Sequence, residues 1–194
     1  MRGVGKVFEG IDAKLTDWMA GQRLFFVGSA PAEGGHVNVS PKGPIESLRV
    51  IDDRTVAYVD LVGSGIETVA HAGQNGRICI MLCAFDGPPR VLRIHGEATV
   101  HRPGGDRYQE LMAGFDLVAV PAAEWVARSI VEVDVQRVAD SCGYDVPLMS
   151  YDGVRPQRMA WIEKKLAKSG DAVFADYVAQ KNAKSIDGLP GMPP

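Results

Sequence analysis

The residues best suited to chemistry lie where apolar runs end. In His36-Val37-Asn38-Val39-Ser40-Pro41-Lys42-Gly43, a β-type run delivers a hydroxyl, a rigid proline, a cation and a permissive glycine to one point. That set suits a phosphate or the edge of a polar ring, because lysine supplies charge and glycine lets backbone N–H groups approach an acceptor. A Ser-Pro-Lys-Gly turn with a solvated lysine accounts for the same spacing, and spacing alone favours it. In Asp60-Leu61-Val62-Gly63-Ser64-Gly65-Ile66-Glu67-Thr68, a glycine loop runs into a helix start with two hydroxyls. Unpaired N–H groups and the helix dipole favour an anion there. The plainer alternative is that Ser64 caps its own helix, and Glu67 places a negative charge in the first turn.

The remaining polar groups are less pointed. Arg90 and Arg93 lie three apart in Arg90-Val91-Leu92-Arg93-Ile94-His95-Gly96-Glu97, an odd strand offset that sends them to opposite faces, with Gly96 allowing a bulge or a close approach. His36, His71, His95 and His101 share no ligand spacing, so a metal site is not expected. Cys142 has no neighbouring histidine to mark it as a nucleophile, and Asp140 to Pro147 reads as a polar structural loop. Lys181 to Pro190 mixes amide, hydroxyl and cation past a helix end and reads as a solvated tail. The chain has no Walker loop, HExxH, CxxC pair or GxSxG elbow, and no side chain is marked as a catalytic acid or base.

These groups need elements to hold them. Val7, Ile11, Leu15, Trp18 and Met19 recur at helical spacing and predict an opening helix from Lys6 to Gly21. Short β-branched or aromatic runs predict strands at Arg23 to Ser29, His36 to Ser40, Ser47 to Ile51 and Thr55 to Asp60, the last two joined by an Asp52-Asp53-Arg54 hairpin turn. A helix from Ser64 to Ala72, ended by Gly73 to Gly76, interrupts them. Strands follow at Arg77 to Phe85 and Arg90 to His101, a helix at Pro103 to Leu117, a strand at Ser129 to Val138, and helices at Pro156 to Lys168 and Asp171 to Ala183. Seven short strands without sustained strand–helix alternation exclude a doubly wound sheet and predict a barrel, in which strands lose their edges. The expected fold is mainly β with peripheral helices in one domain, residues 1–194: an N-terminal helix (1–21), a barrel (23–140), and C-terminal helices with a tail (141–194).

Composition narrows the function. A formal net charge of −3 with dispersed cations offers no field for a polyanion, which argues against nucleic acid. No apolar run reaches the length of a membrane span and the N-terminus lacks an apolar signal core. Three cysteines, with Cys79 and Cys83 on one face of an apolar strand, read as buried thiols in a reducing cytoplasm.

Taken in order, HVNVSPKG, YVDLVGSGIET, RICIMLCAF, RVLRIHGEATV, DSCGYDVP and KNAKSIDGLPG resemble the pyridoxamine 5'-phosphate oxidase-like family over nearly the whole chain. The resemblance implies a split β-barrel of the FMN-binding type, a homodimer, and FMN held where the subunits meet. Position by position it places Val39, Ser40, Pro41, Lys42 and Gly43 along the flavin and its phosphate, with Tyr58, Val59 and Asp60 at the next strand end. Ser64, Gly65 and Thr68 fall in the phosphate loop, Arg90, Val91 and Leu92 on the strand reaching toward the partner's flavin, and Asn182, Ser185 and Ile186 in a C-terminal contribution. The family's oxidases carry an Arg-Lys pair in that loop and a Trp and Arg near the C-terminus. Here the loop reads Gly63-Ser64-Gly65-Ile66-Glu67 and the tail lacks the Trp, so vitamin B6 is not the expected substrate. The expected function is an FMN-dependent oxidoreductase acting on a small redox substrate, in which FMN supplies the chemistry. Relatives of the same fold that use deazaflavin F420 or handle haem, and a flavin carrier or sensor without turnover, are the alternatives.

Overall fold

The computed structural model describes residues 5–192 apart from Leu117, Pro121 and Asp171. The β-branched and aromatic runs form the strands β1 (Val7–Phe8), β2 (Phe25–Ser29), β3 (Asn38–Lys42), β4 (Leu48–Val50), β5 (Thr55–Leu61), β6 (Arg77–Cys83), β7 (Val91–His101) and β8 (Ala127–Ser141). All pair antiparallel in one sheet of order β3-β2-β6-β7-β8-β5-β4, with β1 beside β8. The helices among the described residues are α1 (Ala13–Ala20), α2 (Glu67–Asn75), α3 (Asp106–Met112), α4 (Ala123–Val126), α5 (Gln157–Ser169) and α6 (Ala172–Lys181). None is long and apolar enough to cross a membrane.

Alternation along two strands explains how the sheet is covered. On β5, Val56 and Tyr58 point into the barrel while Ala57, Val59 and Leu61 point out toward the helices. On β8, Val131, Val133 and Val135 face in, and Ile130 faces out. The period of two thus feeds two cores at once, an inner one closed by Ile11, Leu15 and Met19 at the α1 end, and an outer one under α3 to α6. Ile162 of α5 and Phe174 of α6 are 0% and 3% exposed in that outer core, and Trp161 packs on Phe174 and Tyr177.

Several boundaries differ from expectation. The opening helix is shorter: Val7 and Phe8 pair with Ala139 and Val138 as a strand, and the helix begins where the Asp12 carboxylate accepts from Leu15 N–H at 2.8 Å. The strand expected at His36 to Ser40 runs instead from Asn38 to Lys42, so Pro41 and Lys42 are strand residues and the Ser-Pro-Lys-Gly turn is not formed. Proline is tolerated there because β3 is the sheet edge and no partner needs its missing N–H. Helix α2 starts at Glu67 and continues through Gly73 to Gly76, which ends it at φ +67°; Ser64 makes no cap hydrogen bond to it. Helix α4 was not expected, and α3 is shorter than the pattern from Pro103; the expected ends at Leu117 and Asp171 lie outside the described residues. Gly96 sits at a register shift between β7 and β8, where a Cβ would fall on the Asp134 carbonyl oxygen.

Candidate functional site

Lys42 ends β3 and Asp60 lies on β5, near opposite ends of the sheet order, yet Lys42 Nζ is 2.6 Å from Asp60 Oδ1. The sheet therefore rolls until its two ends meet, and this ion pair closes the seam. Arg128, the second residue of β8, donates its Nε to Asp60 Oδ2 at 2.8 Å. Its Nη1 donates to Asn182 Oδ1 at 2.9 Å and to the Gly63 carbonyl at 3.3 Å, and Asn182 Nδ2 also donates to that carbonyl at 3.0 Å. Asp60 and Arg128 side chains are only 1% and 4% exposed, and Lys42 19%. Burial alone would push the Asp60 carboxyl up, but Lys42 and Arg128 outweigh it and hold the group below its ordinary 3.8, so it stays ionised. Tyr58 beside it is pushed well above the usual phenol range, first by burial and then by Asp60, and among the described residues its hydroxyl has no hydrogen-bond partner.

Over this seam opens a cleft of about 270 Å³. Its walls are Ser40 to Gly43 of β3 and its following turn, Ser47, Val59 and Leu61, the loop glycines Gly63 and Gly65, Glu67 and Thr68 at the start of α2, Arg128, and Arg158 from α5. Three cations, Lys42, Arg128 and Arg158, face two carboxylates, Asp60 and Glu67, which leaves one net positive charge. The Thr68 hydroxyl, which accepts from Asn38 Nδ2 at 3.2 Å, keeps its proton for a further donor bond, whereas the Ser40 and Ser47 hydroxyls donate to Asn38 Oδ1 and to the Pro44 carbonyl. The arrangement is chemically fitted to an anion carried on a larger, partly apolar body.

The cleft brings together Ser40, Pro41, Lys42, Gly43, Val59, Gly65 and Thr68 from the residues singled out in the sequence. Asp60 lies beneath it in the seam, Ser64 is exposed in the loop between two cleft glycines, and Val39 is 65% exposed on the outer face of β3. Tyr58 is buried in the inner core with its ring edge-to-face on Phe25. Asn182 is wholly buried under the Gly63 turn, where it holds Arg128 and the loop together. Ser185 Oγ accepts from Leu189 N–H within the tail, and Ile186 is exposed while its N–H donates to Glu67. Arg90, Val91 and Leu92 lie elsewhere: Val91 pairs with Ser141 at the far end of β8 from Arg128, roughly 40 Å along the strand at ~3.3 Å per residue. Leu92 is fully buried there, and Arg90 binds Asp140 between Phe8 and Trp18. Arg128 and Arg158 were not anticipated. Arg128 heads an apolar strand, a weak cue; Arg158 is one cation among several on an amphipathic helix, and nothing in its spacing marks it.

An antiparallel sheet rolled to a seam, with helices outside and a glycine loop at the seam's mouth, defines a split barrel of the FMN-binding type. No protein-family model matches the chain. It is 35% identical over 195 residues to the pyridoxamine 5'-phosphate oxidase family protein ustO of Aspergillus flavus, covering 95% of this chain and 77% of that protein. Among solved structures it resembles a candidate pyridoxamine 5'-phosphate oxidase from Lactobacillus delbrueckii, with TM-score 0.51, 15% identity, and coverage of 70% of this chain and 98% of the other. An FMN-binding protein from Syntrophomonas wolfei aligns with TM-score 0.47 and 15% identity over 61% of this chain and 77% of its own. The chain belongs to the pyridoxamine 5'-phosphate oxidase family. Among the described residues no group of His, Cys, Asp or Glu is placed to hold a metal ion.

Proposed function

We propose that this protein is a homodimeric FMN-binding flavoprotein that acts as an oxidoreductase. The observation that carries the reading is the cleft itself, where Arg128 and Arg158 converge beside the Gly63 to Gly65 loop and the start of α2. These residues fit a phosphorylated ligand, since a guanidinium with free donors, a second, buried cation beneath it and backbone N–H groups suit that charge. Pro41, Val59 and Leu61 supply apolar walls for a ring system. Bound FMN would supply the electron transfer, and the protein would bind, orient and tune it. Lys42 acts less directly than its position in the sequence suggests: its charge is held by Asp60, so it sets the potential of the cleft as part of a triad.

The cleft of one chain is small for a whole flavin, because sites for ligands of that size run to ~300–1,000 Å³. A second copy would complete it. Val37 and Val39 beside the cleft, and Tyr144, Leu148 and Val154 after β8, are each more than half exposed and give two-fold pairing apolar surface to bury. Pairing is also how the distant Arg90 to Leu92 end of β7 would approach a flavin, the partner's. The free thiols Cys79, Cys83 and Cys142 suit a reducing cytoplasm.

The test is a visible spectrum of the purified protein, mass spectrometry of what denaturation releases, and light scattering after gel filtration. Flavin absorbance, released FMN and twice the 20.9 kDa chain mass are expected. Colourless protein with no affinity for added FMN, or a monomer, would overturn the reading. Reduction of the bound flavin by NADH or NADPH and reoxidation by a candidate acceptor separates an enzyme from a carrier or sensor.

A further inference from the structure

The loop at the cleft carries no cationic side chain, since Gly63 to Glu67 offers only glycine, serine, isoleucine and glutamate. Charge for an anionic ligand must come from elsewhere, and two of the three cations present are already engaged. Lys42 and Arg128 both bind Asp60, and Arg128 further binds Asn182 and the Gly63 carbonyl. Arg158 differs. Among the described residues it has no carboxylate partner; its Nη1 and Nη2 reach only the Val62 carbonyl, at 3.3 and 3.5 Å. A guanidinium has five N–H donors, so most remain for a ligand, and their fork matches a phosphate.

Arg158 is delivered by a docked helix. It sits in the first turn of α5, which is anchored one turn later by Ile162, fully buried, and by Trp161 against Phe174 and Tyr177. Its exposed side chain reaches the Val62 carbonyl by long hydrogen bonds, which places the guanidinium beside the loop and open to the cleft. A cation on a docked helix, with most of its donors free and lining a cleft whose other charges balance, gives that cleft its net positive charge.

We propose that Arg158 reads the terminal phosphate of the flavin, so that this chain distinguishes FMN from unphosphorylated riboflavin through α5 rather than through its loop. The inference rests on the flavin reading above. It predicts that the phosphate-dependent share of affinity resides in Arg158 and that the ring-dependent share does not.

The experiment titrates the full-length protein, stripped of cofactor, with FMN and with riboflavin, following flavin fluorescence, in wild type, R158A, R158K and the surface control K164A. Wild type and K164A are expected to favour FMN. R158A is expected to lose about 10- to 100-fold in FMN affinity, as removal of a charge-assisted hydrogen bond implies, with riboflavin affinity unchanged. R158K should recover part of the loss, since a point charge replaces the fork. The riboflavin titration also serves as the folding check. Equal weakening toward both ligands, or no change in R158A, would overturn the proposal while leaving the flavin reading intact, as would a wild type that binds riboflavin as tightly as FMN. Wild type binding neither ligand would overturn the flavin reading and this inference with it.

Discussion

Replacing Asp60 with asparagine tests the seam directly. The substitution keeps the shape of the side chain and removes its charge, leaving Lys42 and Arg128 side by side with nothing to neutralise them. Removing one partner of a buried ion pair costs about 3–5 kcal/mol, because the remaining charge stays desolvated. Lys42, at 19% exposure, can swing its ammonium into water, whereas Arg128, at 4%, cannot. Arg128 also keeps Asn182 and the Gly63 carbonyl, so the lower end of that range, about 3 kcal/mol, is expected. In urea unfolding, with m of about 2–3 kcal/mol/M for a chain of this size, D60N should lower the midpoint by roughly 1 to 1.5 M. Adding Lys42→Met should restore part of the loss by removing one of the two repelling charges. The sign of the pH dependence follows from the lowered Asp60 group. The unfolded carboxyl takes up a proton more readily than the folded one, so the stability it contributes is full above about its ordinary 3.8 and is lost as pH falls through its lower folded value. Wild type should therefore show an acid-dependent loss that D60N lacks. A D60N midpoint within ~0.3 M of wild type, or an unchanged acid limb, would refute the view that this triad holds the barrel closed.

Two further substitutions probe the frame around the site. Tyr58→Phe removes a buried hydroxyl that has no hydrogen-bond partner among the described residues, so stability should stay level or rise by up to about 1 kcal/mol in the same urea assay; a measurable loss would mean the hydroxyl is satisfied. Gly96→Ala should destabilise by about 2 kcal/mol or more, read as a lowered thermal midpoint, because its Cβ would strike the Asp134 carbonyl and the Val133 side chain at the β7–β8 register shift; a neutral result would mean that the bulge can move.

Much of the frame was legible because it rests on local rules. Thr55 to Asp60 reads as a strand from its β-branched and aromatic residues, and the Asp52 carboxylate accepting from Arg54 N–H makes the turn that the Asp-Asp-Arg triplet promised. The anticipated Gly96 irregularity is present for the reason expected, close approach of a neighbouring strand. The errors fall where a tertiary partner overrides a local pattern. Val7 fits the helical stripe of Ile11, Leu15 and Met19, but β8 offers a free ladder and takes Val7 and Phe8 as strand. Ser64 looks like a helix cap, but the helix begins three residues later, where Ile66 can bury against Val69 and Met192.

The site divides along the same line. Ser40 to Gly43, Gly65 and Thr68 were findable because small, polar and glycine residues at strand and helix ends are a local signal, and the cleft gathers them. Arg128 and Arg158 were not, because their meaning comes only from the closure of the sheet and the docking of α5, some 70 to 100 residues from Asp60 and Val62 in the chain. Their effect nonetheless explains the cleft's sign. Closing the seam requires a carboxylate between strands from the two ends of the sheet, and two cations answer it from opposite sides. One carboxylate cannot neutralise two cations; Glu67 offsets the remainder, and Arg158 then gives the cleft its net positive charge. An anion entering the cleft would meet that charge beside the seam, which sets ligand binding next to the residues that hold the fold together.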